Sequence, residues 1–494
     1  MTSSQIIWAQ ARDRLVQATV TLGYPSELGE LMARQLKSPK AMDRMTSYIL
    51  SVRPDTEEML VDEMLAICDD INAWREKKRS QEAQANYNAM LFYRRGYPRM
   101  TRMTDHDRTF CHFLSRHDCT GRKYCMQRTY PNQFSRFGIS DEQVLKRVQD
   151  CFHTIFFDPD EKFYTDVDED SGCMIDTGNV DARTEGMSYG MMMTVQMDRK
   201  DLFDKLWQFS MRYMFQKDGP YAGYFAWSVS PEGKHNAEGP APDGEEYFAM
   251  ALFMASARWG DGEGIFCYSG QARNILRHCL HQDEMVPGGR AMWDPENHLI
   301  RFVPEADFSD PSYHLPHFYS LFARLADPED RPFWQKAAGA SRAYIVQSAH
   351  PVTGMSPEYA EYDGTPRLMF GKPFTYYSDA YRVAMNIALD TLWFGPREDT
   401  AQIASHLQDF FQGIPESELK AYQLDGTPAD EPAMHPVAIT AVLAAASIAS
   451  SSPAADKALL HFWNTPLRRG KRRYYDNCLY FFCLLMLAGC YQMY

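Results

Sequence analysis

Two kinds of helical pattern alternate along most of this chain. An amphipathic segment, with Val144, Val148, Cys151, Phe152 and Ile155 on one face, is followed by a stretch from Met187 to Met197 that is apolar almost all round. A helix with one apolar stripe lies at a surface, whereas one apolar on every side must be buried. The pair then recurs. The more apolar members begin near Glu185, Asp243, Asp310, Asp379, Pro436 and Tyr475, and segments of mixed pattern lie near 200–216, 269–281, 331–348, 399–411 and 453–463. About twelve helices in alternation predict stacked helical hairpins. An inner ring of all-apolar helices wrapped by an outer ring of amphipathic ones satisfies every face, so the expected class is all-α, an α/α barrel over residues 126–494. The last apolar run, Cys478 to Cys490, is too short to cross a bilayer and fits the sixth inner helix.

The front of the chain reads differently. Residues 1–93 form a small helical unit, with apolar positions at Ile6, Ile7, Leu15, Val16 and Val20 and then a long charged helix from about Thr56 through Leu60, Met64, Ile67 and Trp74. It carries no clustered chemistry, which leaves packing or partner contact as its role. Residues 94–125 hold eight Arg or Lys against three Asp, with His106, His112, His117, Cys111, Cys119 and Cys125 and little periodicity. The spacing fits none of the usual paired zinc-ligand patterns, so the segment reads as an irregular basic linker.

Composition narrows the partners. A net charge of −14 repels nucleic acid and anionic membrane and suits a neutral substrate. No secretory leader and no apolar run of the ~18 residues a span requires are visible, which predicts a cytoplasmic protein. Eleven cysteines, an odd number, several of them in apolar helical runs (Cys478, Cys483, Cys490), suit reduced buried thiols.

If alternate helices are inner and parallel, their N-terminal loops gather at one end of the barrel. Those loops carry Thr-Glu185-Gly, Pro-Asp243-Gly-Glu-Glu-Tyr, Ser-Asp310-Pro-Ser-Tyr-His, Tyr-Ser-Asp379-Ala-Tyr, Met-His435-Pro and Arg-Tyr-Tyr475-Asp-Asn. Each acid has a plain structural reading as a helix cap or a dipole partner, with Asp243 and Glu246 spaced as a capping box and Asp310 and His435 each preceding a proline at the first helical position. Caps do not require flanking aromatics, yet these loops carry Tyr224, Phe225, Trp227, Tyr313, Tyr376, Tyr377 and Tyr475. Flat aromatic faces beside carboxylates suit a sugar ring, with C–H bonds on one face and hydroxyls at its rim. Glycosidic hydrolysis needs one protonated and one ionised carboxyl group. Glu185 stands where a polar turn enters a buried helix, so burial should lift its pKa toward neutrality, as a general acid needs.

The stretches Asp176-Thr-Gly-Asn, Arg183-Thr-Glu-Gly-Met-Ser-Tyr-Gly-Met, Ala222-Gly-Tyr-Phe-Ala-Trp-Ser, Gly239-Pro-Ala-Pro-Asp-Gly-Glu-Glu-Tyr-Phe, Ser309-Asp-Pro-Ser-Tyr-His-Leu-Pro-His-Phe-Tyr, Ser378-Asp-Ala-Tyr-Arg-Val and Arg472-Arg-Tyr-Tyr-Asp-Asn-Cys-Leu-Tyr closely resemble glycoside hydrolase family 8 over residues 127–494. Within it they look most like the reducing-end xylose-releasing exo-oligoxylanases. The resemblance implies an (α/α)6 barrel acting on xylo-oligosaccharides by inversion, without metal or cofactor. It implies Glu185 as general acid, Asp379 as general base and Asp243 as the group that holds the sugar at the cleavage subsite and orients the water. Trp227, Tyr313 and Tyr377 would shape the sugar subsites, Arg183 would support Glu185, and His435 would close the far side of the site and read the reducing-end hydroxyl. An endo-acting β-1,4-xylanase, glucanase or chitosanase on the same barrel and a non-catalytic sugar-binding protein are the alternatives. Residues 1–125 have no counterpart in the family pattern.

Overall fold

In the computed structural model of the chain, the described residues are 3–54, 60, 64 and 129–494 apart from 373. The chain divides into two compact units, residues 1–121 and 122–494. The basic stretch with Cys111, Cys119 and Cys125, and most of the charged helix expected after Thr56, lie outside the described residues.

The first unit contains α1 (Ser3–Thr21), α2 (Ser26–Leu36) and α3 (Pro39–Val52). Ala11, Leu15 and Ala18 of α1 pack with Met32, Ala33 and Leu36 of α2 and Met42, Met45 and Ile49 of α3, and Leu60 and Met64 join the same core. Val20, expected on the buried face, is exposed, and its neighbour Thr19 is buried with its hydroxyl bonded to the Leu15 carbonyl. The unit's buried stripe thus follows alanine and methionine more than the β-branched residues.

The second unit contains twelve helices among its described residues. They are α4 (Asp141–Phe156), α5 (Thr184–Gln196), α6 (Lys200–Phe209), α7 (Pro242–Trp259), α8 (Tyr268–Met285), α9 (Pro316–Leu325), α10 (Arg331–Ser348), α11 (Arg382–Phe394), α12 (Glu398–Phe411), α13 (Pro436–Ala446), α14 (Ala455–Asn464) and α15 (Arg473–Leu487). Burial separates them as the pattern predicts. From Tyr474 to Leu487 every residue of α15 is buried, and α7 is buried from Pro242 to Ala255, whereas α4 buries only its Val144, Val148, Cys151, Phe152, Ile155 and Phe156 stripe. In α4 the capping box is real: Ser140 accepts from the Gln143 backbone and the Gln143 side chain accepts from the Ser140 N–H.

The inner helices α5, α7, α9, α11, α13 and α15 each touch the next, and α15 returns to α5, so the ring closes. This is an (α/α)6 barrel. Its axis is filled by aromatic and methionine side chains, including Tyr189, Tyr247 and Phe482, whose rings meet edge-on or tilted within 6.1 Å. Helix α9 starts at Pro316 and α11 at Arg382, each a few residues later than the apolar pattern suggests, because the Asp310 and Asp379 segments first form 3-10 turns at Pro311–Tyr313 and Ser378–Tyr381.

Short strands, which helical periodicity does not reveal, decorate the connections. They are β1 (Tyr164–Asp166) with β2 (Gly172–Met174), the sheet of β3 (Ala182–Arg183), β4 (Ser228–Val229) and β5 (His235–Ala237), and β6 (Lys420–Tyr422) with β7 (Pro428–Pro432). All pairs are antiparallel. The β3–β4 pair matters for the site because it lays Trp227 alongside the start of α5, where the Thr184 N–H donates to the Trp227 carbonyl at 2.9 Å. No helix among the described residues is long and apolar enough to cross a membrane.

Candidate active site

The N-terminal ends of the inner helices meet around one arginine. Arg382 heads α11, is 3% exposed, and donates from Nη1 to Glu185 Oε2 at 3.2 Å, Asp243 Oδ2 at 2.9 Å and the Tyr189 hydroxyl at 3.2 Å. Its Nη2 lies 3.5 Å from Asp379 Oδ1 and 3.9 Å from Asp310 Oδ2, and its guanidinium stands over the Tyr313 ring at 5.4 Å. Four carboxyl groups, each at or just before the start of an inner helix, therefore share a single buried cation. Such an arrangement holds the acids close together only while the cation remains, since bare like charges in a dry site repel strongly.

Their burial is unequal, and that separates their chemistry. Glu185 keeps 15% of its side chain exposed, Asp243 8%, Asp310 none and Asp379 29%. Burial pushes Glu185 up to about 7, against the pull of Arg382 and with a further push from Asp243 and Asp379. Asp243 is raised by the same cause, with Arg382 opposing it, and Asp310 is raised well above the usual carboxylate range. The Tyr474 hydroxyl donates to Glu185 Oε1 at 2.9 Å, so both oxygens of Glu185 are held.

Close backbone approach makes this packing possible. A Cβ on Gly186 would lie 2.4 Å from the Tyr474 hydroxyl, and one on Gly244 would lie 2.4 Å from the Thr184 Cβ. The glycines that follow Glu185 and Asp243 thus let α5, α7 and α15 bring their first turns together. In the Asp243-Gly-Glu-Glu run the three acids diverge. Glu245 Oε1 accepts from the Phe225 N–H at 3.1 Å, Glu246 Oε2 accepts from the Tyr319 hydroxyl at 2.8 Å, and only Asp243 faces Arg382. Burial raises both glutamates well above their ordinary values, and both serve as struts between elements. The capping box expected from Asp243 and Glu246 does not form: helix α7 begins at Pro242, and Ala241 caps it without a side-chain bond.

The remaining expected residues fall around the cluster. Tyr313 lies beneath Arg382 and stacks on Phe302 at 6.0 Å. Trp227 is half-buried, with the Arg183 guanidinium 5.2 Å above its ring. Arg183 itself pairs with Asp181 at 3.1 Å and Asp176 at 3.4 Å, and it acts on Glu185 only through its charge; the guanidinium in contact with Glu185 is that of Arg382. Tyr377, two residues before Asp379, packs on Phe374 at 4.9 Å with the Lys372 ammonium 5.0 Å away. His435 caps the start of α13 without a cap bond, and its ring lies 4.6 Å from that of Tyr475, whose hydroxyl donates to the Ser378 carbonyl beside Asp379 at 3.1 Å.

Three members of the site carry no expected role in the sequence reading. Arg382 and Tyr474 are the direct partners of Glu185. Glu358 is 4% exposed, pairs with Lys372 at 3.1 Å, and is pushed up to about 7 by burial and then by the nearby Asp379. The signal for Arg382 was present: it heads the otherwise apolar run Arg382-Val-Ala-Met-Asn-Ile-Ala-Leu, and a charge on a buried helix requires a counter-charge. Among the described residues no group of three or more His, Cys, Asp or Glu is arranged to hold a metal ion.

A barrel end that gathers carboxyl groups of unequal burial, with tyrosines and a half-buried tryptophan beside them, matches glycoside chemistry, and the sequence comparisons agree. The model for glycosyl hydrolases family 8 matches residues 155–489. The chain belongs to glycoside hydrolase family 8. It is 52% identical over 378 residues to the reducing-end xylose-releasing exo-oligoxylanase Rex8A of Paenibacillus barcinonensis, covering 76% of this chain and 99% of that protein. It is 52% identical over 369 residues to a reducing end xylose-releasing exo-oligoxylanase of Halalkalibacterium halodurans, covering 74% and 95%. Endoglucanases are more distant: endoglucanase 2 of Ruminiclostridium josui is 26% identical over 318 residues, covering 63% of this chain and 64% of that one. The structure of Rex8A complexed with xylose superposes with a TM-score of 0.72 at 53% identity, covering 74% of this chain and 98% of that one.

Proposed function

We propose that this family 8 hydrolase removes xylose from the reducing end of xylo-oligosaccharides with inversion of configuration. The observation that carries the reading is the identity of 51–52% to three reducing-end xylose-releasing enzymes along 95–99% of their lengths, against 24–32% to endoglucanases over shorter segments. A Rex8A variant has been crystallised with 3(3)-alpha-L-arabinofuranosyl-xylotetraose, a substituted xylo-oligosaccharide, which supports the same substrate class here.

In this reading Glu185 is the general acid. Its raised pKa keeps a proton available near neutrality for the departing glycosidic oxygen. Asp379, the most exposed of the four acids, is the base that activates water, and Asp243 holds the sugar and helps to orient that water. Glu185 and Asp379 contact opposite nitrogens of one planar guanidinium at 3.2 and 3.5 Å, so the facing oxygens are at most roughly 9 Å apart. That bound leaves room for the ~6.5–9.5 Å that inverting enzymes use to admit a water between their carboxyl groups. Trp227, Tyr313 and Tyr377 offer aromatic faces to the sugar, Arg183 orders the Trp227 rim, and His435 closes the leaving-group side and reads the reducing-end hydroxyl. No step requires a cofactor.

Product analysis tests the exo reading against its endo-acting neighbours. On xylotriose the enzyme should release xylose and xylobiose with the anomeric signal inverted at the new reducing end, and polymeric xylan should yield xylose with no larger fragments early in the reaction. Early release of larger fragments from xylan would assign it to the endo group. The pH profile tests the acid. Loss of the Glu185 proton above its pKa of about 7 stops donation, so kcat/KM should fall tenfold per pH unit on the alkaline side. A rate flat from pH 5 to pH 9 would remove Glu185 from that role.

No disulfide joins the seven described cysteines, which supports placing the enzyme in a reducing, cytoplasmic compartment. For the N-terminal unit we retain a packing or partner-binding role; Leu31, Leu50 and Val52 are exposed on α2 and α3.

A further inference from the structure

The first turn of α15 contains an acid that the reaction does not use. Asp476 has no exposed surface, yet it is fully bonded. Its Oδ2 accepts from His435 Nδ1 at 2.8 Å and from Arg468 Nη1 at 2.5 Å, and its Oδ1 accepts from the Ala438 N–H at 2.9 Å, in the first turn of α13. The same Arg468 nitrogen donates to the Met434 carbonyl at 2.6 Å. Arg468 is in turn fixed by Asn477, whose Oδ1 accepts from the Arg468 N–H at 2.8 Å and whose Nδ2 donates to the Arg468 carbonyl at 2.9 Å. Adjacent residues of α15 thus clamp the Met434–His435 loop from both sides.

The chemistry of this clamp is directional. An ionised carboxylate has only acceptors, and Asp476 is neutralised by a guanidinium that cannot lose its proton, so the hydrogen in the His435 contact must be on Nδ1. In a neutral imidazole the other nitrogen, Nε2, is then an acceptor. The ring plane is pinned as well, by Tyr475 at 4.6 Å on one side and by the Asp476 bond at its edge. A sugar hydroxyl is the matching partner, because it can donate one hydrogen bond to such a nitrogen.

We infer that Asp476, held by Arg468, is the positioning residue that fixes His435 as the Nδ1–H tautomer and so presents Nε2 as an acceptor for the reducing-end hydroxyl. The inference rests on the exo reading and on the role of His435 within it. Carboxylate partners that orient metal-bound histidines in the same way change affinity or activity by about 10–100-fold when removed.

The test compares xylotriose with its reduced counterpart xylotriitol, which lacks the anomeric hydroxyl. The wild-type enzyme should prefer xylotriose in kcat/KM, and His435→Ala should bring the two substrates toward parity. Asp476→Asn should also reduce the preference by 10-fold or more, mainly through KM, with the melting transition retained. A folded Asp476→Asn enzyme with undiminished preference, beside a His435→Ala enzyme that has lost it, overturns the Asp476 inference and leaves the His435 reading standing. Undiminished preference in His435→Ala overturns both. A measurement on the unmodified protein does not depend on the variant folding: the ring 15N shifts of His435, assigned by their loss in His435→Gln, should report a protonated Nδ1 and an unprotonated Nε2. A protonated Nε2 with a bare Nδ1 overturns the inference.

Discussion

Replacing Glu185 with glutamine should lower kcat on xylotriose by roughly two to four orders of magnitude, the range over which a positioned proton donor contributes. Glutamine resembles the protonated acid in shape, its amide oxygen can accept from Arg382 and its NH2 can donate to the Tyr474 oxygen, so KM should change little and the fold should survive. The loss belongs to the proton and not to the packing. Two signatures follow. The alkaline limb near pH 7 should vanish from the residual rate, because the group that sets it is gone. A xylobioside whose leaving group is a strongly acidic phenol should be spared much of the loss, because such a group departs without a proton. Steady-state kinetics across pH on both substrates checks each point, and a variant with wild-type turnover would exclude Glu185 as the acid.

Replacing Arg382 with methionine should have the largest effect on stability. It removes the only counter-charge in contact with Glu185, Asp243, Asp310 and Asp379 among the described residues. Breaking a buried ion pair by deleting one partner costs about 3–5 kcal/mol. The cost should depend on pH, with a definite sign. Arg382 opposes the rise in pKa of Glu185, Asp243 and Asp310, so without it these carboxyls rise further in the folded state. A group whose folded pKa exceeds its unfolded value binds more protons when folded, and its contribution to stability is lost as pH rises through the folded pKa. The deficit in Tm should therefore grow between about pH 5 and pH 8, and the variant should recover stability in mild acid. Calorimetry at both ends of that window measures it. A deficit that is small and independent of pH would mean that the four acids do not rely on this arginine.

Both predictions turn on residues at the starts of inner helices, and the extent to which the sequence discloses them differs from one to the next. Glu185 and Asp243 were legible because each lies where a polar turn enters a run apolar on all sides. Such a run can only be an interior helix, which puts an acid at its head into a dry environment. The alternation of all-apolar and one-faced helices likewise contained the two-ring architecture, since each pattern has only one place where its surface is satisfied. Trp227 and Tyr313 were legible as aromatic neighbours of the acids, whereas Tyr224, Phe225 and Tyr376, singled out with them, are buried in the core. Arg183 stands two residues before Glu185 in sequence but is directed to Asp181 and Asp176, because the short β3–β4 pairing turns its side chain toward Trp227.

By itself, then, the sequence determined the helix count, the division between inner and outer helices, the end of the barrel at which the acids collect and the family to which the motifs belong. Only the tertiary structure decided which charge answers which. Arg382 reaches Glu185 across 197 positions and Asp243 across 139, and Asp476 reaches His435 across 41. The physical reason is that periodicity reports the solvent exposure of each face of a helix, a property of neighbours in the chain. Pairing of charges and placement of protons depend on side chains brought together by closure of the ring, where burial raises the pKa of Glu185, Asp243 and Asp310 and a shared guanidinium opposes it.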